Sequence, residues 1–307
     1  MSEIFDVIII GGGAAGLTAG IYSSRAKLRT LILNEGAFGG QMVLTNEIAN
    51  YPGVETTNGY VLASIMKLQA KNFGCELKTN VKIIKYELEG KIKSFELEDG
   101  RSFSGKSVIL APGGRPVSLE IPGENRFKGT GISFCATCDG EFFTDKELVV
   151  VGGGNSALEE AVSLTKFASK VTIVHQFDKF QAFEHAIIEA KNNPKIDFIM
   201  ESELRSFEGA DKIEKVKIEH LPTGTISEKN IDGVFIFIGY RPNTEDFIGK
   251  LDMSPKNEII TDELMRTNIA GVFAAGDCIR KKYRQVTTAV AEGTIAALSA
   301  AEYLRNI

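Results

Sequence analysis

One pattern of apolar and polar positions occurs twice along the chain. Residues 5–26 open with the β-branched run Val7-Ile8-Ile9-Ile10, pass through three glycines and continue with the spacing of an Ala-rich helix. Residues 147–166 repeat it, with Val149-Val150-Val151 ahead of three more glycines. A strand, a glycine turn and a helix, met twice, predict an α/β protein of two dinucleotide-binding, Rossmann-like, three-layer domains. Further strands are predicted over 28–33 and 171–174, a short one just before Gly276, and a long helix over 286–304. Turn formers crowd Ala111-Pro112-Gly113-Gly114-Arg115-Pro116 and Gly239-Tyr240-Arg241-Pro242-Asn243. The segments outside these two punctuations differ from the middle. The second domain, 117–243, therefore reads as inserted into a discontinuous first domain, 1–114 and 245–307.

Composition narrows the function classes. The chain has 307 residues, 43% hydrophobic and 24% charged, ordinary for a globular protein with room for sizeable cores. A formal net charge of -5 gives no footprint for nucleic acid. No segment reaches the ~18 apolar residues of a membrane span. Residues 1–6 carry no basic region, and the apolar run after them is too short for a signal peptide, so no membrane and a cytoplasmic location are expected. Four cysteines do not make a disulfide scaffold, which leaves the question of a redox pair.

Four motifs carry candidate chemistry. Gly11-Gly12-Gly13-Ala14-Ala15-Gly16 fits G-x-G-x-x-G, with Gly11, Gly13 and Gly16 at the fingerprint positions and a helix N-terminus behind them for a pyrophosphate. Glu35, about 20 residues on, is placed to bind a ribose hydroxyl. Gly152-Gly153-Gly154-Asn155-Ser156-Ala157 fits G-x-G-x-x-A, with no acid after the next strand. Cys135-Ala136-Thr137-Cys138 is a C-x-x-C pair, which can be a redox disulfide, half a zinc site or two inert cysteines. Zinc needs two further ligands, and the three histidines have no finger spacing, so no metal is expected. Two dinucleotide folds beside the pair favour a redox role, with Asp139 as a proton relay. Finally, Asp277 closes a short strand, where it could bind a polyol hydroxyl, and the helix near Val286 could favour negative charge on a reduced flavin.

These motifs, in this order, resemble the low-molecular-weight, bacterial-type thioredoxin reductases. Gly39-Gly40-Gln41, Cys135-Ala136-Thr137-Cys138-Asp139-Gly140, Gly152 to Ala157, Pro242-Asn243-Thr244 and Ala275-Gly276-Asp277 carry the resemblance over nearly the whole chain. It implies an FAD domain with contacts at Gly11, Gly13, Gly16, Glu35, Gly40, Gln41, Asn50, Asp277, Arg284, Gln285 and Val286. It implies a pyridine-nucleotide domain using Gly152, Gly154, Asn155 and Ala157. It also implies a homodimer, Cys138 as the sulfur nearer the flavin, Cys135 as the one that attacks thioredoxin, and domains that rotate between the two half-reactions.

Two departures from the family qualify this. Members that use NADPH carry H-R-R-x-x-x-R where this chain has His175-Gln176-Phe177-Asp178-Lys179-Phe180-Gln181. A 2′-phosphate is best held by guanidinium groups, and none is present, whereas Gln176 could bond a free 2′-hydroxyl. The expected donor is NADH or NADPH, with NADH favoured. Ferredoxin or a reduced deazaflavin is an alternative donor, and a flavin-binding regulatory protein without turnover is an alternative of another class. Ala111-Pro112-Gly113 replaces the family's A-T-G. A glutaredoxin-like protein or a peroxidase subunit is an alternative partner, although peroxidase-linked relatives carry an extra N-terminal domain for which the first fingerprint at Gly11 leaves no room.

Overall fold

The computed structural model describes residues 4–45 and 48–307; the first three of the N-terminal residues read above for charge lie outside the described residues. The chain divides into two units, Met1–Arg115 with Arg241–Ile307, and Pro116–Tyr240. The first half of the outer unit runs β1 (Ile4–Ile10), α1 (Ala14–Arg25), β2 (Thr30–Leu33), α2 (Gly59–Asn72), β3 (Glu76–Lys78), β4 (Ile83–Glu87), β5 (Lys93–Leu97) and β6 (Ser102–Leu110). β7 (Gly114–Pro116) leads out of it. The middle unit runs α3 (Glu124–Phe127), β8 (Ile132–Ser133), α4 (Ala136–Asp139), β9 (Glu147–Val151), α5 (Asn155–Leu164), β10 (Lys170–Val174), α6 (Glu184–Asn192), β11 (Ile196–Ile199), β12 (Ser202–Glu208), β13 (Lys215–His220), β14 (Thr225–Asn230) and β15 (Gly233–Ile236). β16 (Tyr240–Pro242) leads back to β17 (Val272–Ala274) and the long α7 (Val286–Arg305).

In the outer unit β3, β2, β1 and β6 lie side by side in parallel, β17 joins β6 in parallel, and β5 and β4 extend the sheet antiparallel. Val7, Ile8, Ile9, Leu31, Ile32, Val108, Ile109 and Leu110 are all buried, as a parallel sheet covered on both faces requires. α1 crosses α7 at Gly293, where a Cβ would come within 2.3 Å of the Ala15 carbonyl oxygen, so a glycine permits the close approach.

The middle unit shows the strand period directly. Leu148 and Val150 of β9, Val171 and Ile173 of β10 and Phe235 of β15 pack with Leu158, Ala161 and Leu164 of α5. Their neighbours Val149, Val151, Val174, Val234 and Ile236 point the other way, onto Leu204, Phe207, Val216 and Ile218. Those last four belong to the antiparallel sheet β12-β13-β14, so helices, a parallel sheet ordered β11-β10-β9-β15-β8 and this second sheet form three layers. The sequence pattern had not singled out the antiparallel layer. Nor had it predicted that the two turn-rich crossings, β7 and β16, pair with each other as short extended strands. Pro116 and Pro242 lie in a two-stranded ribbon in which both strands are edges, a setting that tolerates a missing N–H.

Candidate active site

In the outer unit the first fingerprint leaves β1 as a tight turn, with Gly11 at φ +103° and its N–H donated to Leu33 O at 2.9 Å. α1 seats on this turn because Gly16 has no side chain: a Cβ there would lie 1.9 Å from the Gly11 oxygen. Gly13 is the N-cap of α1 and offers no capping side chain, so the first amides of the helix keep their donors. Gly40 lies against Gly13, since a Cβ on Gly40 would sit 3.2 Å from the Gly13 Cα. It opens a 3-10 turn, Gly40–Leu44, that exposes Gln41.

Glu35 is exposed, two residues beyond β2. Asn34 beside it had escaped the sequence reading. Its Oδ1 accepts the Gly12 N–H at 2.8 Å, and its Nδ2 donates to Gly36 O and Ala37 O at 2.6 and 3.0 Å, which ties the fingerprint to the loop bearing Glu35.

The second half of the chain brings its predicted residues to the start of α7. Gln285 is the N-cap, in a capping box with Thr288, and Val286 is the first helical residue. Asn50 Nδ2 donates to Gln285 Oε1 at 3.4 Å, joining two predicted contacts 235 positions apart. Arg284 pairs with buried Glu258, which also accepts Ser254 Oγ at 2.8 Å. Asp277 pairs with Lys281 at 2.9 Å, and Lys281 also pairs with Glu292 at 2.8 Å. Glu292 accepts the Gly276 N–H at 2.9 Å, and burial pushes its carboxyl above the usual range against the pull of Lys281. Lys281 and Glu292 were also missed, although Lys281 stands only four positions after Asp277 in sequence. The uncapped amides, the bare glycine backbones and the polar groups of Asn50, Gln285 and Asp277 fit the pyrophosphate and polyol of a dinucleotide.

In the middle unit Cys135 and Cys138 form a disulfide, with Cα atoms 5.3 Å apart. Cys135 is the N-cap of the one-turn α4, and its Sγ accepts the Cys138 N–H at 3.1 Å. Asp139 follows and is mostly buried; that burial lifts its carboxyl above the ordinary range, while a hydrogen bond from Ser133 partly offsets the rise. Cys75 and Cys278 are buried free thiols, both pushed by burial up to about 12. Among the described residues no group of His, Cys, Asp and Glu could hold a metal ion, and no helix is long and apolar enough to cross a membrane.

The second fingerprint keeps its backbone form, with Gly152 at φ +136° and Gly154 capping α5 without a side chain. The segment after β10 folds across it. Gln181 N donates to Gly153 O at 2.8 Å, and Phe183 N donates to Asn155 Oδ1 at 2.6 Å. The ring of buried His175 fills the space a side chain on Gly153 would need, 2.3 Å from such a Cβ. It also stacks on Phe180 at 5.6 Å, and burial lowers its pKa. Ala157 is fully buried in the helix–sheet contact, whereas Gln176, Asp178 and Lys179 are exposed.

Residues 5–293 match the family model described as pyridine nucleotide-disulphide oxidoreductase. The chain belongs to this family. A thioredoxin reductase of Peptoclostridium acidaminophilum is 44% identical over 99% of this chain and 98% of its own length. One of Bacillus subtilis is 43% identical over 100% of this chain and 98% of its own. Among solved structures, the thioredoxin reductase of Streptococcus pyogenes superposes with a TM-score of 0.96 at 41% identity, covering 100% of both chains. The two-domain Rossmann-like fold and the FAD-dependent disulfide oxidoreductase class follow from this membership.

Proposed function

We propose that the chain is a thioredoxin-disulfide reductase. In this reading NADH or NADPH reduces FAD held in the outer unit, and the Cys135–Cys138 pair passes the electrons to thioredoxin or a thioredoxin-fold protein. The observation that carries the reading is the disulfide at the cap of α4 beside a carboxyl whose pKa burial raises, in a chain whose other unit has a glycine turn and an uncapped helix start suited to a dinucleotide. The named relatives at 43–44% identity support thioredoxin as the partner and do not favour a regulatory protein or a ferredoxin- or deazaflavin-driven enzyme. We infer a cytoplasmic homodimer from the same family membership.

FAD would be held by Gly11, Gly13 and Gly16 on the pyrophosphate side, with Glu35 toward the adenosine ribose. Gly40, Gln41, Asn50, Asp277, Arg284, Gln285 and Val286 would hold the remainder. The pyridine nucleotide would meet Gly152, Gly154, Asn155, Ala157 and Gln176. When bound, FAD supplies two electrons in one transfer.

Taking up two electrons and one proton would break the Cys135–Cys138 bond and leave Cys135 as a thiolate and Cys138 as a thiol, with Cys138 the sulfur on the flavin side in this reading. The N–H bond onto Cys135 Sγ favours a thiolate there. That thiolate attacks one sulfur of the partner's disulfide. A new S–S bond forms as the partner's bond breaks, and the departing thiolate takes the proton from Asp139. The Asp139 carboxylate then accepts the Cys138 proton, and the Cys138 sulfur attacks Cys135. The original disulfide re-forms and the partner leaves as a dithiol, its second sulfur protonated by solvent. Cys138→Ser should retain yellow, FAD-loaded protein while thioredoxin reduction falls by more than about a thousandfold, as expected for a group that forms a covalent bond in the reaction. Turnover of this variant near the parent rate sinks the reading.

A further inference from the structure

Ser133, the last residue of the short strand β8, touches both halves of the redox turn. Its Oγ donates to Asp139 Oδ2 at 2.5 Å and accepts the Cys135 N–H at 3.1 Å. A hydroxyl has one proton, and the Cys135 carbonyl, 3.4 Å away, is the weaker competitor for it. The serine is buried, with 5% of its surface exposed, and its backbone is pinned by the parallel register of Ser133 with Phe235 on β15. Among the described residues Ser133 is the one that shares a side-chain hydrogen bond with Asp139. The charged residues on the elements packed most closely against α4 are Glu141 in the following 3-10 turn and Glu159 and Glu160 on α5.

We propose that Ser133 is a positioning residue for the disulfide chemistry, a fixed donor that clamps Asp139 Oδ2 so that the exchangeable proton rides on Oδ1. This rests on the reading of Asp139 as acid and base. Two consequences follow from the geometry. A donor to Oδ2 stabilises the carboxylate, so it opposes the effect of burial and keeps the group able to release its proton during exchange. Ser133 Oγ also accepts the Cys135 N–H, so the carboxyl and the attacking sulfur are held in one frame.

The first readout is Asp139 itself, taken without donor, partner or turnover. Carbon-13 NMR of the carboxyl in the oxidised FAD-loaded protein, assigned by difference with Asp139→Asn, gives its titration midpoint. Ser133→Ala should raise that midpoint by about one pH unit, the size of one lost hydrogen bond to a charged group. Ser133→Thr should restore it, and Ser133→Cys, a weaker donor, should fall between. The alkaline limb of thioredoxin reduction should move upward in step in Ser133→Ala and be absent in Asp139→Asn. A midpoint unchanged in Ser133→Ala overturns the proposal, as does a Thr variant shifted as far as Ala. If the Ala variant does not fold, an unshifted Cys variant overturns it equally. Either negative leaves the Cys138→Ser result standing, so failure here is distinct from failure of the functional reading.

Discussion

The cysteines separate into two chemical classes by surroundings alone. Cys135 and Cys138 are paired at a helix cap, whereas Cys75 and Cys278 are enclosed among apolar groups, Cys278 with 0% of its surface exposed. Burial lifts both free thiols from 9.0 to about 12, so thiolate at pH 8 is scarce and access is closed. The native oxidised protein should therefore show no fast-reacting thiol toward a disulfide reagent at pH 8. Denaturation should expose two, and reduction before denaturation four. A fast thiol in the native oxidised protein refutes this. The same shift has a sign in stability. A folded-state pKa above the unfolded one favours folding below pH 9 and loses that contribution as pH climbs toward 12, so thermal stability should decline across that alkaline window. Cys75→Ala and Cys278→Ala together should flatten the decline. Composition alone could not supply this division, because a lone cysteine's burial depends on the chain packed around it.

At the scale of elements, the two fingerprints were legible because glycine spacing after an apolar strand leaves few other structures open. Asn34 and Ser133 were not, since a single polar residue inside or next to a strand has no spacing signature and acquires its role from a hydrogen bond across the fold. The antiparallel layer β12-β13-β14 was hidden for a different reason. Its outer face carries cross-strand ion pairs, such as Arg205 with Glu219 and Lys215 with Glu228 at 2.7 Å, so its apolar residues alternate with charges and read as surface. The segment after β10 is the element with the most direct functional consequence. It packs Phe180 inward and exposes Gln176, Asp178 and Lys179, one anion and one cation, where the resemblance places three guanidinium groups. A 2′-phosphate gains little net charge attraction there, while a 2′-hydroxyl can pair with Gln176. Mixed anaerobically, NADH should bleach the flavin at least about tenfold more efficiently than NADPH, which corresponds to 1.4 kcal/mol of discrimination. Faster bleaching by NADPH would show that the exposed Lys179 suffices for the phosphate. No bleaching by either, with full bleaching by dithionite, would exclude both nucleotides as donors.

At the scale of the molecule, the described residues of the outer core form one cluster and those of the middle unit form two others. Each unit thus has its own hydrophobic driving force, and ligands proposed for one unit should stabilise that unit and not the other. FAD binds only the folded outer unit in this scheme. At about a thousand times its dissociation constant it adds about 4 kcal/mol to that unit. For a unit of this size each kcal/mol moves the midpoint by about 2–4 °C, so the outer transition should rise by roughly 10 °C on loading. Calorimetry of the FAD-free protein should then show two transitions, of which added FAD moves one. Trypsin digestion during the scan assigns them, because the unit still folded between the two midpoints survives as protected fragments. One transition that moves as a whole with FAD would mean that the units unfold together, and the separation of the cores would then not set the cooperativity of the molecule.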